Sequence, residues 1–419
     1  MMKRFGAVAL PLSTILLSVL LGTSCGGASP KGTAFGLPGA PPQAGPVNSY
    51  VGKPGNSPSD SSLWGVTINR SNNTYTYGPL DASAPPTTGS FASLNGGFMV
   101  LLNENGYQSG LALEIPGQAI VLRPGNSATS LVYAVQQASC FSIGGNVKFL
   151  FSFSPGLIAS SGAVFGRTYA STNSDGSSWQ FNNQTQYQAP DGKNVPAAAD
   201  FPGYPSSYSG ACTASNGSAT VASAPLSYFS NNTSYPLPSQ YVISPAGFLF
   251  ANQSYANVPP ALWPYPNVSV WGVSEPLSQL SIKNVATANY VGFLLEANAS
   301  SGTYRSQVVG FGNAPISGTS MIGGTFPNED PSAGQLGNMR ITFGSQDPLN
   351  NGLYYLAKLT IPYDGGMTTC PTPLPSANGA LACTYNAIAT VGQPIGSYAI
   401  MLTAFDPNGN QKTLVLFEQ

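Results

Sequence analysis

From residue 63 onward the chain is patterned in short runs with a period of two. Trp64-Gly-Val66-Thr-Ile68 alternates apolar with polar positions, and after a polar turn Asn73-Thr-Tyr75-Thr-Tyr77 does so again. Gly97-Phe98-Met99-Val100-Leu101-Leu102 is a buried-strand run, closed by the hairpin turn Asn103-Glu104-Asn105-Gly106. Residues 111–115 and 119–122 flank the turn Pro116-Gly117-Gln118, and 148–153 ends before Pro155-Gly156. The last third repeats one sentence three times: strand, Asn/Gly turn, strand. Its turns are Asn298–Gly302, Asp347–Gly352 and Asp406–Asn410. Short strands at a spacing of about 8–12 residues predict an all-β fold, antiparallel sandwich or barrel, with long Pro/Ser/Asn-rich loops. No stretch of about twelve residues carries a helical period with caps. Gly-Phe opens apolar runs at Gly97-Phe98, Gly247-Phe248 and Gly292-Phe293, a weak internal echo without a regular period.

Ahead of that pattern lies different material. Met1-Met2-Lys3-Arg4 is a short positive segment, residues 5–21 are mostly apolar, and Leu21-Gly22-Thr23-Ser24-Cys25-Gly26-Gly27 follows. Positive, apolar, then small residues is the order of a secretory signal peptide. The small residues before Cys25 resemble the lipobox of bacterial lipoproteins, with Leu21 four residues before the cysteine rather than three. The resemblance implies that Cys25 is lipidated and becomes the new N-terminus. Gly26, where an Asp would retain the protein at the inner membrane, implies the outer membrane. The expected organisation is a signal peptide (1–25), a flexible Gly/Pro/Ser tether (26–61), a β domain (62–155), a loop-rich β region (156–285) and a second β domain (286–419), with 156–285 open to being part of it.

Charge changes the picture by its scarcity. Only 7% of residues are charged, against roughly 25% in an average soluble domain. Without the first 25 residues the balance is 12 basic against 15 acidic (14 less Lys3 and Arg4, against 15), net −3. No basic stripe is present to engage phosphates, so nucleic acid is not an expected partner. Histidine is absent, which removes the usual general base near neutral pH, the commonest metal ligand and the Ser–His–Asp triad together. Apart from Cys25 the cysteines number four, Cys140, Cys212, Cys370 and Cys383. Two disulfides are expected, Cys370–Cys383 across a short Pro-rich loop and Cys140–Cys212 by exclusion.

A search for catalytic chemistry comes back nearly empty. A glycoside hydrolase needs two converging carboxylates, and Glu114, Glu296, Glu329, Asp330, Asp347 and Asp364 are the available acids. Glu329-Asp330 sits in a loop signature, and Glu114 with Arg123 on the opposite hairpin arm reads as a cross-strand ion pair. The turn at Asp406 lacks the Gly and Glu of a calcium loop, and no lysine has a serine three residues before it. No metal or cofactor is expected. One aromatic cluster, Trp263-Pro-Tyr265-Pro-Asn-Val-Ser-Val-Trp271, stands in the charge-free stretch between Asp200 and Glu275. Trp263, Tyr265 and Trp271 are the candidate ligand-binding rings, suited to stacking on sugar faces. The sequence therefore predicts a lipid-anchored cell-envelope protein of binding or structural type. It is held to the membrane by its lipid, and polysaccharide or another envelope protein is its partner. A carbohydrate-active hydrolase with a carboxylate pair is the alternative.

Overall fold

The computed structural model describes residues 45–54, 63–126, 128, 131–145, 147–154, 163–172, 174–188, 194–195, 207–215, 219–230, 233–254, 259 and 267–298. It further describes 303–313, 318–330, 336–348, 350–376, 379–394, 397–405 and 411–419. The fold is all-β and antiparallel, and its only α-helix among these residues is the six-residue α1, Ile282–Thr287.

Three successive meanders make up the chain, each returning its last strand to its first. The first is a closed barrel of β1 (Val47–Pro54), β2 (Trp64–Asn69), β3 (Thr74–Pro79), β4 (Thr87–Ser93), β5 (Phe98–Leu102), β6 (Gln108–Ile115), β7 (Ala119–Pro124) and β8 (Val132–Gln136). The second runs β9 (Val147–Ser154), β10 (Ala163–Thr172), β11 (Ser178–Gln188), with β12 (Asn194–Val195) hung on its edge, β13 (Ser207–Ser215), β14 (Ala219–Ser230), β15 (Thr233–Ile243), β16 (Phe248–Ser254) and β17 (Asn267–Ser274). Pairing of β17 with β9 completes that ring. The third comprises β18 (Tyr290–Asn298), β19 (Thr303–Asn313), β20 (Ser320–Thr325), β21 (Leu336–Thr342), β22 (Ser345–Gln346), β23 (Leu353–Pro362), β24 (Leu374–Pro375), β25 (Leu381–Gly392), β26 (Ala399–Phe405) and β27 (Gln411–Glu418). Here β27 returns to β18, and β22 and β24 are short additions beside the ring. Closure leaves few unpaired edges, which suits a chain with so few charges to guard them.

The continuous apolar runs have a simple cause. In β7, Ile120 and Leu122 point into the barrel with Val66, Ile68, Tyr75 and Leu101. Val121, between them, points outward into a second cluster shared by all three meanders. Barrel strands covered on both faces cannot alternate. The shared cluster holds Phe98 and Leu113 of the first meander, Phe248, Phe250 and Trp271 of the second, and Phe293, Val415 and Phe417 of the third. All three Gly-Phe phenylalanines thus meet at one junction. They lie on β5, β16 and β18, non-equivalent strands of their meanders, so the echo marks a meeting point and not a repeat.

The boundaries differ from those expected. Val47–Pro54, inside the stretch read as tether, is a strand closing the first barrel against β8. Its Gly52 looked like tether composition, but a Cβ there would lie 1.6 Å from the Tyr133 carbonyl oxygen. The glycine serves a close backbone approach. The first barrel ends at Gln136, and β9 belongs to the second meander. Residues 156–285, read as loop-rich, carry β10 to β17, whose Ser, Asn, Gln and even paired prolines (Pro225 opposite Pro238) conceal the period. Cys140 joins Cys212 (Cα–Cα 6.0 Å), and Cys370 joins Cys383 (5.7 Å). Their sequence separations of 72 and 13 correspond to about 4 and about 3 kcal/mol of loop-closure stabilisation.

Candidate functional site

Opposite register parity separates Glu114 from Arg123. Glu114 stands across from Ile120 and faces the barrel lumen, whereas Arg123 stands across from Leu111 and faces outward. The expected ion pair between them therefore does not form. Glu114, with no exposed side-chain surface, instead accepts from Arg70, from Asn48 Nδ2 at 3.0 Å and from the Tyr50 hydroxyl. Burial and the adjacent carboxylate push the Tyr50 phenol well above its ordinary value.

The third meander closes one end of its lumen in a similar way. Glu296 and Arg305 are direct cross-strand partners on β18 and β19, and Lys412 of β27 is the other neighbour of Glu296. Glu296 and Lys412 both have fully buried side chains, 3.4 Å apart. Arg305 Nε donates to Glu296 at 2.6 Å, and its other nitrogens reach Asp364 and Thr368. Asp364 and Thr368 belong to the loop after β23, which the Cys370–Cys383 bond fastens to β25. The Lys412 ammonium also donates to the Met367 carbonyl of that loop. Burial acts against charge on Arg305, but Glu296 and Asp364 more than reverse it and raise its pKa. For Asp364 burial likewise raises the pKa, yet bonds from the Thr368 and Gly366 amides and from Arg305 hold it below the ordinary carboxylate range.

Beside this cluster lies a cavity of about 260 Å³. Its origin is a gap in strand pairing. Strand β19 pairs with β18 from Thr303 to Phe311, but β20 accompanies it only from Val309 onward. Beyond Thr325 the chain turns away through the 3-10 segment Pro327–Glu329, in which Asn328 takes a positive φ of 52°. The Phe326 amide still donates to the Val308 carbonyl at 3.3 Å, but the flank of β19 over residues 305–307 is left without a partner strand and forms one wall, with Arg305 and Gln307 on it. Thr325, Phe326 and Glu329 form the other. Arg123 of the first barrel seals the back. Nearly fully buried, it donates to Glu329 with two nitrogens and to the Ser306 carbonyl at 3.3 Å.

The remaining acids with described contacts are also engaged. Glu275 accepts from Lys148 at 2.7 Å and from the Asn351 amide at 2.6 Å, and Asp347 accepts from the Tyr355 hydroxyl. Among the described residues no group of three His, Cys, Asp or Glu is placed to hold a metal. Trp271 is 7% exposed and packs edge-on against Phe250 and Tyr133, so its faces are core surface and not a platform. Trp263, Tyr265, Cys25 and the Asp406 turn lie outside the described residues. The cavity residues Arg305, Gln307 and Thr325 carried no sequence motif. The Glu296–Arg305 pairing shows only in the register of β19 on β18, since equal arms about the Asn298–Gly302 turn would have set Glu296 against Tyr304.

These groups set a pH profile. Burial pushes the phenols of Tyr50, Tyr133, Tyr290 and Tyr354 upward. A raised phenol keeps its proton in the folded chain where the unfolded chain has released it, so stability falls as pH rises past about 10. Asp364, lowered, contributes stability that disappears as pH falls below about 4. With no histidine in the chain, the urea midpoint should stay level between about pH 5 and 9. A midpoint that moves substantially near pH 7 would contradict this assignment.

No family model matches the sequence, and no curated protein matches it. Among solved structures, the chain is similar to transferrin binding protein B from Haemophilus parasuis Hp5, in a tryptophan-to-alanine mutant. Identity is 8% and the TM-score 0.27, over 90% of this chain and 76% of that one. It is also similar to isotype 1 transferrin binding protein B from serogroup B Neisseria meningitidis, at 12% identity and a TM-score of 0.26, over 86% of this chain and 66% of that one.

Proposed function

We propose that this chain is a lipid-anchored protein of the bacterial cell envelope, held at the outer membrane through Cys25, and that its body binds or scaffolds without catalysing a reaction. Polysaccharide or another envelope protein is its partner. The observation that carries the reading is how the carboxylates are used. Glu114 and Glu296 are walled into separate barrel ends, and Glu329 is clamped by Arg123. A glycosidase requires one acid protonated and another free, facing a common space. Of these three only Glu329 lines the cavity, and two Arg123 nitrogens occupy its two oxygens. The sequence alternative, a carboxylate-pair hydrolase, is not favoured by any observation.

Two measurements test the proposal on the full chain. Cells expressing it and fed an alkyne fatty acid should yield a labelled protein in the outer-membrane fraction, and Cys25→Ala should lose the label entirely. Tagged full-length protein should retain envelope polysaccharide or an envelope protein without shortening any glycan offered to it. Undiminished labelling of Cys25→Ala, or release of reducing ends from a glycan, would refute the anchor or the non-catalytic reading respectively.

A further inference from the structure

We propose that the cavity on the open flank of β19 is a binding site for a single uncharged sugar ring, an inference that rests on the binding reading above and gives it a place. The charges decide the ligand class. Among the described residues Arg305 is the only cation on the cavity wall, and two carboxylates, Glu296 and Asp364, already surround it. Glu329 is, among the described residues, the only acid there, and Arg123 holds it with two nitrogens. Each charged wall group is compensated from behind, so neither an anion nor a cation gains enough attraction to offset its own loss of water. What remains available is hydrogen bonding without net charge.

The inventory of that bonding fits hydroxyl groups. Four of the five Arg305 N–H groups are accounted for by Glu296, Asp364 and Thr368, which leaves one donor. The Gln307 carboxamide and the Thr325 hydroxyl each both donate and accept, as a sugar hydroxyl does. Val308 and Phe326 supply the apolar part of the wall, suited to the C–H face of a ring. The volume of about 260 Å³ equals the share of about nine waters at roughly 30 Å³ each. That is room for one pyranose ring with its hydroxyls, and it lies below the range of larger ligands.

Ligand-observed NMR on the full-length protein in detergent tests this. The probes are methyl β-D-glucopyranoside and N-acetyl-D-glucosamine, with D-gluconate as the anionic and choline as the cationic control. At least one uncharged probe should show saturation transfer with a millimolar dissociation constant, unchanged by added salt because no net charge is involved. Gln307→Leu, and separately Thr325→Val, should each weaken binding about tenfold in a protein whose circular dichroism is unaltered. Absence of transfer from both uncharged probes, transfer equal in wild type and variants, or a preference for gluconate or choline would overturn the proposal. If the full chain still retains envelope polymer when these probes fail, only this site falls. If retention fails as well, the binding reading falls with it.

Discussion

Glu296→Ala is expected to destabilise the third meander by about 4 kcal/mol, seen as a melting temperature lower by about 10 °C. The reason is the charge left behind. In the native protein Glu296 and Asp364 balance Arg305 and Lys412 around one lumen end. Arg305 keeps Asp364 after the substitution, but Lys412, fully buried, keeps the Met367 carbonyl and the Tyr385 ring at 5.9 Å and no carboxylate in contact. A buried ammonium with one carbonyl and a ring face but no counter-charge is poorly compensated. Lys412→Met should also destabilise, with the opposite residual charge. In Glu296→Gln/Lys412→Met the remaining Arg305 and Asp364 balance, so the double variant should be more stable than either Glu296→Ala or Lys412→Met alone. A Glu296→Ala loss below about 1 kcal/mol, within the range of exposed pairs, would show that the cluster is solvated in solution.

Glu114 fills the same role in the first barrel, walled in by Tyr50, Asn48 and Arg70. Both lumens are otherwise packed with aliphatic and aromatic side chains. The place left for recognition is where strand pairing is incomplete, beside the charged cluster at the end of the third lumen. The cavity accordingly lies where β20 parts from β19 and shares Arg305 with that cluster.

How much of this was readable before the structure depends on where each signal resides. Trp64-Gly-Val66-Thr-Ile68 is β2 because one of its faces is partly solvated, and alternation then survives in the sequence. The runs on either side of the Asn298–Gly302 turn give β18 and β19 directly, but symmetric arms about that turn would set Glu296 against Tyr304, and the true register sets it against Arg305. Strand β1 was hidden because Gly52 and Pro54 look like linker, although Gly52 answers to the carbonyl of a residue 81 positions later. Much of the second meander was hidden because strands such as β11 and β13 are built largely from Ser, Thr, Asn, Gln and Tyr, whereas the apolar β9 and the start of β16 stood out. The cavity was illegible for a deeper reason. It requires Arg123 and Glu329, 206 positions apart, to meet where a pairing stops at Val309. No local window holds that information, and the sequence reading of Arg123 as the partner of Glu114 chose the nearer acid over the right face.

Phe293→Ala and Phe98→Ala should each cost about 4 kcal/mol, the usual range for emptying a buried phenylalanine site. Phe98 is 1% exposed and Phe293 0%, and their rings meet edge to face at 5.5 Å across two meanders. The informative quantity is their coupling. Direct ring contact predicts that the double variant loses about 1 kcal/mol less than the sum of the singles. Phe248 and Phe417, themselves 6.2 Å apart, belong to the same cluster, so a void opened by one phenylalanine is felt by strands of all three meanders. Unfolding in urea should then remain a single transition in wild type, with the variants shifting the whole of it. Strict additivity, with Phe98→Ala moving one transition and Phe293→Ala another, would mean that the meanders fold independently and that the shared cluster is only a docking surface.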